Sequence, residues 1–226
     1  MGCIFFRKGN MLNKTLYPIF ACFALFFLAT MHLSPYPFDY LVKTIPIICL
    51  AALAFVTIPG IKGRLIGVGL LFSGAGDILL HIGGVRLFVH GLGAFLIAHL
   101  FYIAALIRRP ALVRARIPIL AAIVTYGCVM GFLLLPRLGD MLVPVTVYLV
   151  IILGMGISAS LGTENHALVI VGACFFIVSD SLIAINRFLT PVPFSGYLVM
   201  GTYYAAQLFI TTGAARRPPP DIKIDV

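Results

Sequence analysis

Long apolar runs recur along the whole chain, and this feature constrains the fold more than any other. Of 226 residues, 62% are hydrophobic and only 10% are charged, which leaves too little polar surface for a soluble domain. Apolar runs of about 20 residues are long enough to cross a bilayer as helices. The runs also lack the two-residue alternation of membrane barrel strands. The sequence therefore predicts an all-α, polytopic membrane protein.

Proline, glycine and charged residues divide the apolar runs into eight predicted transmembrane helices. These helices form one predicted transmembrane domain over residues 16–213, flanked by an N-terminal segment, 1–15, and a C-terminal tail, 214–226. The loops between them are short, so the predicted bundle has no room for a separate soluble domain. The predicted helices cover residues 16–33, 41–59, 65–82, 87–107, 116–135, 141–160, 166–186 and 195–213.

The net charge of +9 comes from basic residues that lie between the apolar runs. They concentrate in the N-terminal segment, near residues 60–64 and 108–116, and in the tail. This is the pattern of the positive-inside rule, which places these loops and both termini in the cytoplasm. It explains the charge without a nucleic-acid partner. The short loops favour a bacterial inner membrane, with a eukaryotic internal membrane as the alternative; the sequence predicts no oligomeric state.

Two of the seven acidic residues, Asp77 and Asp180, fall inside predicted spans. At 1.5 Å per residue, both lie roughly 18–21 Å from the predicted cytoplasmic ends of their helices. Carboxyl groups inside membranes face the bundle interior and usually mark function. The alternative is a structural hydrogen bond between helices.

An internal repeat places the two aspartates in equivalent surroundings. The stretches "FSGAGDILLHI" and "FFIVSDSLIAI" each carry Asp after a small residue, and the helices that follow read "HLFYIAAL" and "TYYAAQL". Four helices separate the copies, so the sequence predicts a parallel repeat of four helices in each half. Equal depth on parallel helices would let the two carboxyls meet in the core.

Polar neighbours of Asp77 indicate a polar cavity. Gly69, Ser73, Asp77 and His81 recur every four residues and so share one stripe of the third helix. His99 lies well inside the fourth helix, where a functional role and a structural one are equally plausible. No complete set of metal ligands and no cofactor-binding pattern is evident, so we predict neither a metal nor a cofactor.

Two neighbouring carboxyls in apolar surroundings would share protons, one protonated near neutral pH and the other ionised. Such a pair supports acid–base catalysis at an electron-deficient carbon, as in glycoside hydrolysis. It would equally support proton-coupled transport of a small molecule or a lipid. The residues by themselves leave both functions open.

The ordered set "GDILL", "GLGAFLIAHLFY", "FIVSDSLIA" and "YYAAQL" resembles the lysoplasmalogenase, or YhhN-like, family from about Lys43 to Gln207. The resemblance implies an eight-helix membrane hydrolase that cleaves the vinyl ether bond of lysoplasmalogens, a class of lysophospholipid. It implies a catalytic role for Asp77 and Asp180. Supporting or substrate-binding positions, to which we add Ser73 from its stripe, are Lys43, His99, Tyr102, Ser179, Tyr203, Tyr204 and Gln207.

For that reaction, one aspartate is expected to protonate the alkene carbon. The other is expected to remain ionised, to stabilise the resulting cation and to activate water. Lys43 is expected to meet the lipid phosphate, with a lysine that reaches to the membrane surface as the alternative. The sequence does not assign the two carboxyl roles.

Overall fold

The computed structural model describes residues 2–83 and 86–216, with the backbone alone for residues 2–13. The described residues form eight α-helices joined by short turns, some of them single 3-10 turns. Residues 217–226, and with them most of the predicted tail, lie outside the described residues. The helices are α1 (Gly2–Thr30), α2 (Asp39–Thr57), α3 (Gly60–Gly83), α4 (Phe88–Leu106), α5 (Ile117–Leu134), α6 (Leu142–Leu161), α7 (Ala167–Phe188) and α8 (Ser195–Ala215).

Each predicted helix is present, and the largest differences are at the starts of α1 and α3. Helix α1 begins at Gly2 rather than at residue 16. Helix α3 begins at Gly60 rather than at residue 65, because the chain turns sharply there. Ile58 before Pro59 is extended and Gly60 has a φ of 70°. The segment expected to be a loop is therefore the first part of α3.

Among the described residues, seven helices are long and apolar enough to cross a membrane. Helix α8, which carries Thr, Tyr and Gln among its apolar residues, is not one of the seven, and the count of eight spans stays a prediction. Large apolar side chains are exposed on these helices, among them Phe132, Val143 and Leu25. Such exposure is stable only against acyl chains, and the chain is therefore an integral, polytopic membrane protein.

The chain divides into two compact units, Met1–Phe101 and Tyr102–Val226, and the division falls within α4. In the first unit, α2 packs between α1 and α3. Glycine lets α4 approach α3 closely, because a Cβ atom on Gly76 would lie 2.6 Å from the ring of Phe95. The single transmembrane domain and the parallel repeat stay predictions.

In the second unit, α7 and α8 form the tightest helix pair. A Cβ atom on Gly172 would lie 2.8 Å from the backbone nitrogen of Ile210 and 2.9 Å from the carbonyl oxygen of Ala206. The two backbones are therefore in direct contact at this level.

At the end of α6, the Arg116 guanidinium donates to the carbonyl oxygens of Ser160 at 3.0 Å, Gly162 at 2.9 Å and Asn165 at 3.0 Å. These bonds satisfy carbonyl groups at the end of α6 and in the turn that leads to α7.

Candidate active site

A buried ion pair joins α2 to α3 in the first unit. The Nζ atom of Lys43 lies 3.0 Å from Oδ1 of Asp77, with side-chain exposures of 11% and 3%. The same ammonium donates to the backbone carbonyl of Asp77 at 3.4 Å. Lys43 therefore turns toward Asp77 instead of reaching to the membrane surface. A pair buried this deeply is stable only with close geometry, because both ions lose their hydration.

A second polar pair lies one helical turn away on both helices. Asp39 Oδ1 and His81 Nε2 are 2.7 Å apart, and Ser34 Oγ donates to Asp39 Oδ2 at 2.7 Å. Asp39 lies before the start of the predicted second helix, residues 41–59, but in the structure it is the first residue of α2 and is 3% exposed. Asp39 and Lys43 are four residues apart on α2, as are Asp77 and His81 on α3. The two helices thus present complementary groups in the same register.

Two more predicted site residues are fully buried in the first unit. Ser73 shares the predicted stripe of α3 with Asp77, and its exposed fraction is 0%. His99, in the part of α4 that belongs to this unit, is also 0% exposed. The predicted inward stripe of α3 is confirmed for Gly69, Ser73 and Asp77, which are all buried.

In the second unit, Asp180 accepts a hydrogen bond from the hydroxyl of Tyr148 on α6. Asp180 lies in the C-terminal half of α7, as Asp77 lies in that of α3, and it is more exposed than Asp77. Tyr148 was not among the predicted site residues. The signal available in the sequence was an aromatic hydroxyl in the apolar run "LVPVTVYLVIILGMG", where Thr146 carries the other hydroxyl.

The other predicted residues of this unit gather around α8. The hydroxyl of Tyr102 donates to Oε1 of Gln207 at 2.9 Å, and both side chains are completely buried. The Tyr203 ring lies 5.5 Å from Phe176 and 5.8 Å from Tyr204, centroid to centroid. Phe176, Tyr203 and Tyr204 thus form an aromatic cluster next to the Tyr102–Gln207 hydrogen bond.

Ser179 has a different setting from its neighbour Asp180. Its hydroxyl donates to the carbonyl oxygen of Val199 on α8 at 3.1 Å. Ser179 thereby joins α7 to α8 one residue before the Asp180 carboxyl.

Asp77 belongs to the first unit and Asp180 to the second, and a direct pairing of the two carboxyls stays a prediction. In the described part of the chain, no three His, Cys, Asp or Glu side chains gather closely enough to hold a metal ion.

The comparison with protein families gives a match over most of the chain. Residues 38–214 match the model of the YhhN family, a range that contains every predicted site residue. The chain belongs to the YhhN family. Several proteins similar to this YhhN member carry the name lysoplasmalogenase.

The similar proteins come from mammals and bacteria. Lysoplasmalogenase TMEM86A of Bos taurus is 34% identical over 207 residues, which cover 84% of this chain and 85% of that protein. Lysoplasmalogenase TMEM86B of Homo sapiens is 34% identical over 187 residues, 81% of this chain and 78% of that protein. A lysoplasmalogenase of Mycobacterium tuberculosis is 36% identical over 172 residues, 74% of this chain and 66% of that protein. No solved structure gives a significant match to this YhhN chain.

Proposed function

We propose that this chain is a membrane hydrolase that cleaves the vinyl ether bond of lysoplasmalogens. The observation that carries the proposal is its similarity to lysoplasmalogenases, at 34% identity over 84% of the chain for the bovine protein. Asp77, which is buried, and Asp180, which is partly buried, supply carboxyl groups of the kind this reaction needs. We also propose that the enzyme lies in a bacterial inner membrane, with both termini in the cytoplasm. The surrounding bilayer would supply the lysophospholipid.

The reaction adds one water across an alkenyl ether. A proton is transferred to the alkene carbon farther from the ether oxygen, and the carbon bonded to that oxygen becomes an oxocarbenium ion. Water attacks this carbon and loses a proton, giving a hemiacetal. The hemiacetal collapses with cleavage of its bond to the glycerol oxygen, which yields a fatty aldehyde and a glycerophospho-alcohol. Protons consumed and released balance, so the enzyme needs a proton donor and a proton acceptor.

We assign Asp180 as the general acid. One group that bonds Asp180 is the neutral hydroxyl of Tyr148, whereas one group that bonds Asp77 is the ammonium of Lys43. An ammonium stabilises a neighbouring carboxylate more strongly than a hydroxyl does. Asp180 is therefore the carboxyl better suited to hold a proton and deliver it to the alkene carbon.

Asp77 takes the complementary role. As a carboxylate held by Lys43, it would stabilise the developing oxocarbenium charge and accept the proton of the attacking water. We assign positioning roles to the other buried polar residues of the two units, Ser73, His99, Tyr102, Ser179, Tyr203, Tyr204 and Gln207.

The direct test is hydrolysis by the purified protein in detergent. It should release fatty aldehyde from a 1-alkenyl lysophospholipid and leave the saturated 1-alkyl analogue intact. In D₂O, mass spectrometry should find one deuterium on the carbon next to the aldehyde, because that carbon receives the proton. Turnover without a proton gradient also separates hydrolysis from proton-coupled transport. The absence of aldehyde from a folded preparation would refute the proposal.

The assignment of the carboxyls is tested by substitution. Asp77→Asn and Asp180→Asn should each lower kcat by about 100-fold or more, because each removes a proton-transfer or charge-stabilising group. Asp140→Asn is the matched control, since Asp140 is exposed in a turn before α6. Gel filtration shows whether each variant is folded. Full activity in either folded active-site variant would overturn its assigned role.

A further inference from the structure

Two buried polar groups on α8 have no hydrogen-bond partner among the described residues. They are Nε2 of Gln207 and Oγ1 of Thr211, in side chains that are 0% and 1% exposed. The two residues are four apart, so their side chains lie on one face of α8, roughly 5–6 Å apart at Cβ. A buried donor without an acceptor destabilises a folded protein, so such groups usually serve a ligand or an ordered water.

The orientation of the Gln207 amide is set by Tyr102. The Tyr102 hydroxyl bonds one end of the amide at 2.9 Å, which directs the other end away from Tyr102. Because Oε1 accepts from Tyr102, the end that faces away is Nε2, a hydrogen-bond donor. Aromatic contact also fixes Tyr102, whose ring lies 6.3 Å from that of Phe176. These contacts fix the direction in which the Nε2 group of Gln207 points.

The chemistry of the two groups selects the kind of ligand. Both are neutral, so they match a neutral group better than a phosphate, whose buried charge would require a cation. An amide N–H needs an acceptor, and a threonine hydroxyl can accept as well as donate. A hydroxyl satisfies both, since it accepts from Gln207 and donates to Thr211. The ether oxygen of the substrate can only accept.

We propose that Gln207 and Thr211 bind the free sn-2 hydroxyl of the lysophospholipid. This inference rests on the proposed function and specifies how the site selects its substrate. The hydroxyl at this position distinguishes a lysolipid from a diradyl lipid, in which the same oxygen is esterified and cannot donate. The two residues would therefore select for the lyso form. Thr211 was not predicted from the sequence.

The test compares two substrates that differ by one oxygen atom. One is a 1-alkenyl lysophospholipid, and the other carries hydrogen in place of its sn-2 hydroxyl. The wild-type kcat/KM should favour the hydroxyl substrate by about tenfold or more. Gln207→Met and Thr211→Val should each lower this preference several-fold, mainly by slowing the hydroxyl substrate. Thr212→Val should keep the preference, because the Thr212 hydroxyl donates to Leu208 within α8 at 2.7 Å.

A binding measurement separates this inference from the proposed function. Saturated 1-alkyl lysophospholipids with and without the hydroxyl would be titrated into the detergent-solubilised protein, with binding followed by thermal stabilisation. A hydroxyl preference that Gln207→Met or Thr211→Val removes would support the site even if no vinyl ether were cleaved. Equal wild-type binding of both lipids would overturn it. So would an equal loss for both lipids in folded variants, which would indicate a structural or water-binding role; Thr211→Val decides alone if Gln207→Met does not fold.

Discussion

Lys43 on α2 and Asp77 on α3 form an ion pair, 3.0 Å between Nζ and Oδ1, in the same register as Asp39 and His81 one turn away. The pair is buried, so each ion depends on the other for the stabilisation that water would otherwise provide. This relationship gives Lys43 a definite part in the proposed mechanism. It orients the Asp77 carboxylate before the substrate binds.

Removal of one partner of this ion pair should destabilise the protein. Lys43→Met leaves the Asp77 carboxylate without its cation and should lower the free energy of unfolding by about 3 kcal/mol. The double variant Lys43→Met/Asp77→Asn should lose less than the sum of the two single variants, because no buried ion remains. Denaturation in mixed micelles measures all three. Lys14→Met, at an exposed position of α1, is the control; strict additivity would contradict the ion pair.

Loss of the Tyr148 hydroxyl should slow the chemical step. Tyr148→Phe removes the hydrogen bond to Asp180 while keeping the ring, and we expect kcat to fall about tenfold with little change in KM. Steady-state kinetics with a 1-alkenyl lysophospholipid measures both constants. Tyr126→Phe on α5 should behave as wild type. An unchanged kcat in Tyr148→Phe would show that this hydroxyl does not assist the carboxyl.

A methyl group at Gly172 should disturb the contact of α7 with α8. The Cβ atom of Gly172→Ala would lie 2.8 Å and 2.9 Å from backbone atoms of α8, which cannot move aside as a side chain could. We expect a loss of about 1–3 kcal/mol in unfolding free energy. Gly201→Ala on α8 meets nothing within 4 Å and should be neutral or stabilising. Equal thermal stabilities of the two variants would argue against the close approach.

Substitution of Arg116 should lower the stability of the protein and leave its catalytic rate unchanged. Arg116→Met removes the donor of three hydrogen bonds at the end of α6, at a cost of about 2 kcal/mol. Activity per folded molecule should stay unchanged, as measured by aldehyde release after gel filtration. Arg114→Met, at an exposed position two residues earlier, should change neither quantity. A fall in kcat at constant stability would instead place Arg116 in the catalytic machinery.

The sequence predicted the helices well because hydrophobicity along the chain determines them, but it did not predict their contacts. Lys43 was expected to meet the lipid phosphate or, as the alternative, to reach to the membrane surface. Its pairing with Asp77 depends on the register of α2 against α3. A clue was present: Asp39 and Lys43 are four apart, as are Asp77 and His81, and the short turn at Pro59 makes the helices antiparallel neighbours. In antiparallel helices with this spacing, Lys43 lies opposite Asp77 and Asp39 lies opposite His81.

Composition and residue spacing did not identify two polar residues of the second unit, Tyr148 and Thr211. They are among several polar residues in apolar helices, and the sequence does not distinguish them from neighbours such as Thr146 and Thr212. Tyr148 contacts a carboxyl on the next helix, and Thr211 follows Gln207 by one turn with no partner among the described residues. Both properties depend on how the helices pack against one another, which composition and spacing do not specify. Asp77 and Asp180 were predictable because a carboxyl in an apolar span is conspicuous by itself.

The shared register of the two polar pairs between α2 and α3 has an evolutionary consequence. A change at position 39, 43, 77 or 81 alone leaves a group without its counterpart in a place where water cannot substitute. Substitutions at these positions should therefore arise together, 39 with 81 and 43 with 77, as lineages of the family diverge. An alignment deep enough to detect correlated replacement would show these as two coupled columns.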